Sequence, residues 1–231
     1  MPDPASGALL VLATHNKGKL AELRSMVAAA LPELDADTAV VDAGTLGLPE
    51  AVEDGLSFRQ NALLKARAAA AASGLPAVAD DSGLCVDVLG GAPGIFSARW
   101  SGRHGDDRAN LELLLAQLGD IAAPHRTASF VCAAALVTPS GHEHVEHGVL
   151  AGTLLQAPAG DGGFGYDPIL QPQGMDVSCA QLSSQEKNAI SHRGQAMKAL
   201  LPHVIAIVGD RGCHPAQINA EHGSRIEDPP W

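Results

Sequence analysis

Aromatic residues are scarce in this chain: four Phe, two Trp and one Tyr, 3% of 231 residues. A core built on stacked rings is therefore excluded, although a hydrophobic content of 46% is enough for one large domain or two lobes around one core. Cysteine is equally sparse. Cys85, Cys132, Cys179 and Cys213 are scattered with no C-x-x-C pair, which argues against a disulfide framework or zinc knuckle and leaves buried free thiols as the expectation. No apolar run reaches the roughly 18 residues of a membrane span, and the opening residues lack the charged-then-apolar pattern of a signal peptide. A soluble, cytoplasmic protein with no membrane partner is expected. Cations are in deficit too, with 15 Lys and Arg against 26 Asp and Glu and a formal net charge of -11. Tight binding along a nucleic-acid backbone needs many cations, so no nucleic-acid partner is expected. A small phosphorylated ligand is compatible, held by a few local cations and a metal ion.

What is present centres on Ala79-Asp80-Asp81-Ser82-Gly83, where two carboxylates interrupt an apolar, β-prone run. Adjacent ionised Asp residues repel and lose hydration, which makes a divalent cation a natural partner. A turn at a strand end is the plain alternative. Further upstream, a short apolar run over residues 8–13 leads into Thr14-His15-Asn16-Lys17-Gly18-Lys19 and then into apolar residues at helical spacing until Pro32. A strand–loop–helix junction aims unpaired N–H groups at whatever lies above the strand, and Lys17 and Lys19 add full charges for a phosphate. Ser57 and Gln60 make a capping-box pattern at the head of a second helix, on which Asn61 and Lys65 share a face. A helix is expected over about residues 106–118, and a hairpin over 127–137 and 142–149. On that hairpin His142 and His144 share a face, and a polar exposed face outweighs a metal site as the explanation.

The segment Gly160-Asp161-Gly162-Gly163-Phe164-Gly165-Tyr166-Asp167-Pro168 is dense in glycine yet holds two aromatic rings. Glycine lets backbone approach a ligand, and a ring among glycines offers a face on which a base can stack. Ser183 to Glu186 forms another capping box, followed by Lys187. Ser191 caps the last helix, with His192 and Arg193 in its first turn, and that helix is read to stop at Pro202. Cations at a helix N-terminus oppose its dipole, which points to a negative or carbonyl-bearing ligand.

Six motifs, in order and spaced alike, give the chain a resemblance to the inosine/xanthosine triphosphate pyrophosphatases, the Ham1-like family: T-H-N-K-G-K (14–19), F-R-Q-N-A-L-L-K-A (58–66), A-D-D-S-G-L (79–84), G-G-A-P-G-I-F-S-A-R-W-S-G (90–102), G-G-F-G-Y-D-P (162–168) and S-H-R-G (191–194). The resemblance implies an α/β fold, an elongated mixed β-sheet flanked by helices in two lobes with the substrate cleft between them, and a homodimer. It implies hydrolysis of ITP, dITP or XTP to the monophosphate and pyrophosphate, with Mg²⁺. Asp81 would be the general base and, with Glu53, a metal ligand. Thr14, His15, Asn16, Lys17, Gly18 and Lys19 would bind the triphosphate, with Lys65 beside it and Ser82 touching substrate. Phe164, Gly165, Tyr166, Asp167, Lys187, His192 and Arg193 would complete the nucleotide site. Gln60 stands where the family often has Glu, and Glu53 is one of three acids in the loop 50–54. The expected organisation is a flexible segment over 1–7, one two-lobed domain over 8–208 and a poorly ordered tail over 209–231.

Overall fold

A computed structural model of the chain describes residues 7–213. Six strands form one mixed sheet in the order β2-β1-β3-β4-β5-β6: β1 (Leu10–Leu12), β2 (Val40–Asp42), β3 (Ala77–Val86), β4 (Thr127–Val137), β5 (Glu143–Leu154) and β6 (Leu170–Pro172). β1 is parallel to β2 and β3, whereas β3 through β6 are antiparallel. The helices are α1 (Lys17–Ala30), α2 (Ala36–Ala39), α3 (Phe58–Ser73), α4 (Asp107–Gln117), α5 (Ser184–Ile190) and α6 (His192–Cys213).

Small residues do the packing that aromatics do elsewhere. Ala62, Ala66, Ala69 and Ala70 let α3 lie close on one face of the sheet, against Val11, Ala77, Ala79, Ala133 and Ala135. On the other face Leu20, Leu23 and Val27 of α1, with Met197, Leu200, Val204 and Val208 of α6, cover Leu10, Leu12, Val78, Ala134 and Leu136. A third cluster closes the far end, where Leu111, Leu114 and Leu118 meet Leu84, Val86, Phe130 and Ile169. Arg126 is buried among these elements, and its guanidinium donates to the carbonyls of Leu118, Leu154 and Leu155.

The last helix does not stop at Pro202. A proline inside a helix costs on the order of 3 kcal/mol, yet Val204 and Val208 continue the buried stripe beyond it, and that burial carries α6 on to Cys213. Residues 209–213, expected at the start of the tail, thus belong to α6, while 1–6 and 214–231 lie outside the described residues. Gly148 of β5 explains where α6 starts: a Cβ there would sit 1.9 Å from the His192 carbonyl oxygen. Only glycine lets β5 and the first turn of α6 come this close.

Candidate active site

The two central carboxylates lie inside a strand, not in a turn: β3 runs unbroken through Asp80, Asp81, Ser82 and Gly83. Alternation along a strand sends neighbours to opposite faces, so Asp80 follows Val78 towards α1 and α6 while Asp81 follows Ala79 towards α3. Their mutual repulsion is relieved by different partners. Lys19 donates to Asp80 Oδ2 at 2.6 Å, and Arg193 Nε lies 3.4 Å from the same oxygen. Burial alone would raise the pKa of Asp80, but the two cations hold it well below the ordinary carboxylate range. Asp81 instead accepts from Asn61 Nδ2 at 3.0 Å and from the Ser82 N–H at 3.0 Å, with Lys65 Nζ 3.6 Å away. Burial pushes its pKa up, and the charge of Glu53 adds to the effect although Lys65 opposes it.

Of the three acids in the loop 50–54, Glu53 is the one that reaches this centre, accepting from Lys65 Nζ at 2.7 Å. Glu50 lies 3.8 Å from His15 Nε2. Burial would lower the pKa of Lys65, but Asp81 and Glu53 raise it and keep the ammonium charged between them. Gln60 does not close a full capping box. The Ser57 hydroxyl accepts from the Gln60 N–H, but the Gln60 side chain accepts from Leu56 N–H at 2.7 Å and so holds the end of the loop that carries Glu53.

Two cavities open beside the neighbours of Asp81, which itself lines neither: Asp80 borders one and Ser82 the other. A cleft of about 240 Å³ is lined by Thr14, His15, Lys19, Glu50, Glu53, Lys65, Asp80 and His104 among others. A cavity of about 200 Å³ is lined by Ser82, Ser97, Asp107, Phe130, Phe164, Gly165, Tyr166, Asp167, Lys187 and His192 among others. Lys65 belongs to the first and touches Asp81; Ser82, the next residue along the strand, belongs to the second.

In the second cavity Phe164 is 77% exposed, with Lys187 Nζ 4.7 Å from its ring centroid. Asp167 pairs closely with Lys187 and accepts from the Phe164 N–H at 2.7 Å. Lys187 therefore stands beside the ring and not with the other lysines. Tyr166 is buried, and its hydroxyl donates to the Ser97 carbonyl at 2.9 Å, so this ring holds the loop in place while Phe164 offers the free face. His192 stacks on Phe130 with centroids 5.0 Å apart. Burial, helped by Lys187, pushes its pKa down to about 4, and its Nδ1 has no hydrogen-bond partner among the described residues. Ser191 caps α6 as expected, accepting from the Gly194 N–H at 3.0 Å.

Besides Asp81, four expected residues line neither cavity. Asn16 caps α1, its Oδ1 accepting from the Gly18 and Lys19 N–H groups, so these donors of the helix N-terminus are already taken. Gly18 is part of that turn. Lys17 donates to the buried Asp42 at 2.5 Å, and Lys17 and Thr45 hold the pKa of Asp42 at about 2 against its burial. Arg193 turns away from the ring-lined cavity to pair with Glu22 and Asp80.

Sequence reasoning missed Asp80 as a site residue, and also Asn61, Asp107 and His104. Asn61 had a signal in its i, i+4 relation to Lys65. Asp107 accepts from the Gly165 N–H at 2.9 Å, a contact across 58 positions that no local pattern announces. Among the described residues no three His, Cys, Asp or Glu side chains make a ready metal-holding group. The ring of His144 stacks on His203 at 4.0 Å. The three cysteines described, Cys85, Cys132 and Cys179, are free and buried, and no helix among these residues is long and apolar enough to cross a membrane.

Fold and site together define an α/β protein in which a carboxylate centre separates an apolar, ring-lined cavity from a cleft of opposed charges. The chain belongs to the Ham1 family, whose model matches residues 10–203. It is 62% identical over 201 residues to a dITP/XTP pyrophosphatase of Streptomyces coelicolor, covering 87% of this chain and 98% of that protein. Among solved structures, a HAM1 protein from Coxiella burnetii superposes with a TM-score of 0.77 at 38% identity, covering 86% of this chain and 99% of that one. A nucleoside-triphosphatase, dITP/XTP pyrophosphatase, from Mycobacterium abscessus does so with a TM-score of 0.70 at 49% identity, covering 84% and 98%.

Proposed function

We propose that the protein is a nucleoside triphosphate pyrophosphatase, a hydrolase that converts the deaminated purine nucleotides ITP, dITP and XTP to monophosphate and pyrophosphate. It thereby clears them from the nucleotide pool before they enter DNA or RNA. The observation that carries this reading is that the neighbours of Asp81 border both cavities, Asp80 and Lys65 the charged cleft and Ser82 the ring-lined one, and the names of the relatives agree with it. Phe164 stacks the base, Ser82 touches the nucleoside, and Thr14, His15, Lys19 and Lys65 receive the phosphates.

Asp81 is the general base that takes the proton of the attacking water. Lys65 and Lys19 face the negative charge that grows on the leaving pyrophosphate, so they stabilise the transition state more than the ground state. Glu53 and Asp81 fit Mg²⁺. Both offer hard carboxylate oxygens, and the Lys65 ammonium held between them marks a place where positive charge is already stabilised. These two carboxylates would hold the ion, which when bound would lower the pKa of water and shield phosphate charge.

His192 is neutral at pH 7 and carries one N–H donor and one acceptor. Its N–H donates to the 6-keto group of hypoxanthine or xanthine. Arg193 acts from behind, holding Asp80 and with it Lys19. The reading takes residues 8–208 as one two-lobed catalytic domain working in the cytoplasm as a homodimer, the dimer resting on the family resemblance.

The test is pyrophosphate release from ITP, XTP, GTP and ATP with and without Mg²⁺. The expected result is metal-dependent release from ITP and XTP, slower with GTP and ATP by a factor on the order of a hundred. Equal rates on all four would keep the chemistry and remove the base-reading roles, and no release from any would sink the proposal.

A further inference from the structure

The chain between the turn at Gly94–Arg99 and α4 brings a residue into the charged cleft from a wall of its own. Gly105 N–H donates to the Ala98 carbonyl at 2.8 Å and Gly102 N–H to the Arg99 carbonyl at 2.9 Å, with φ of +78° and +90° at the two glycines. The left-handed backbone at both positions closes a tight loop whose tip is Arg103-His104. Just beyond it, the start of α4 is fixed by the Asp107 contact to Gly165 and by the Ser101 N–H, which donates to Asn110 Oδ1 at 2.7 Å. The tip is therefore held from both sides, and His104 lines the cleft with Lys19 and Lys65.

Charge in the cleft makes such a residue useful. Lys19 and Lys65 are each already engaged by a carboxylate, Asp80 and Glu53, and Glu50 adds a further negative charge. Pyrophosphate arriving there meets few uncommitted donors. The His104 side chain is exposed and makes no hydrogen bond or ion pair with any described residue. We infer that His104 is a further substrate contact of this site, donating through its imidazole N–H to the β- and γ-phosphates, the part that departs as pyrophosphate. The inference rests on the pyrophosphatase reading and adds a residue that none of the recognition motifs contains. Because base and pyrophosphate occupy different cavities, His104 sets affinity at the pyrophosphate end alone.

The experiment is calorimetric titration of inorganic pyrophosphate with Mg²⁺, and separately of IMP, into wild-type protein and the variants His104→Ala and His104→Lys, beside steady-state kinetics on ITP. His104→Ala is expected to weaken pyrophosphate about tenfold, the loss typical of one hydrogen bond to a charged group, and to leave IMP unchanged. His104→Lys, which supplies an N–H donor from the same position, is expected to recover most of that loss. An active wild type with unchanged pyrophosphate affinity in His104→Ala overturns the assignment of His104 alone, as does equal weakening of both ligands. A wild type that releases no pyrophosphate from ITP overturns this inference together with the activity on which it rests.

Discussion

Asp80 and Asp81 are the same residue type one position apart on one strand, yet their surroundings drive them in opposite directions. Asp80 points towards α1 and α6, where two cations saturate it and hold its pKa down. Asp81 points towards α3, where an amide and one shared ammonium leave it under-compensated and its pKa rises. The pair shows how strand alternation makes one carboxylate a structural anchor and its neighbour a reactive group. Burial alone does not decide the outcome, because both are shielded from water; the number of facing cations does.

The largest effect that would break this contrast is Asp81→Asn. The expected loss in kcat is on the order of a thousandfold, with the thermal midpoint little changed because removing a buried, under-compensated charge offsets the loss of one of its two accepted hydrogen bonds. A variant turning over ITP at a near wild-type rate would remove Asp81 from the chemistry. Asp80→Asn should behave inversely. It leaves Lys19 and Arg193 without their shared counter-charge, and a destabilisation of about 3 kcal/mol in urea unfolding is expected. A loss below about 1 kcal/mol, in the range of exposed pairs, would show that Asp80 is not the anchor.

His192 sharpens the comparison from the side of a buried base without a counter-charge. Its folded pKa of about 4 lies below the unfolded value of 6.5. Above pH 6.5 neither state carries the proton and the group costs nothing. As pH falls from 6.5 towards 4 the unfolded chain takes up a proton that the folded chain refuses, so stability drops, by about 2 kcal/mol between pH 7 and pH 5. His192→Gln should flatten that part of the profile, and an unchanged slope would assign the acid sensitivity to other groups. The smallest effects separate two rings of one loop. Phe164→Ala should lower kcat/KM for ITP about tenfold, as loss of one base stack does, with little change in stability. Tyr166→Phe should cost about 1 kcal/mol of stability through its lost bond to Ser97 and leave kcat/KM close to wild type. The reverse pattern would exchange their roles.

Much of the fold was legible before any coordinates. The runs at 8–13 and 127–149, the helix near 106–118 and the Ser183–Glu186 cap are short-range features, and local periodicity and capping chemistry report them directly. Ham1 membership was legible too, because six ordered motifs are carried by residue identity alone. The end of α6 was not, since the stripe that offsets Pro202 is stabilised by α1 and the sheet. Nor was the division of the basic residues nominated for the nucleotide. Lys19 and Lys65 line the cleft, His192 and Lys187 line the ring cavity, and Lys17 and Arg193 turn to Asp42 and to Glu22 and Asp80. Side-chain partners from distant parts of the chain decide each case.

By itself the sequence determined several of the strands and helices and their caps, and that carboxylates, ammonium groups and a glycine-flanked ring would be available, because these depend on residues a few positions apart. Only the tertiary structure decided that Asp80 and Asp81 diverge, that Tyr166 is buried while Phe164 is free, that His192 is neutral, and that His104 enters the cleft. Each of these depends on the burial and charge supplied by elements tens of residues away, and no local pattern contains that information.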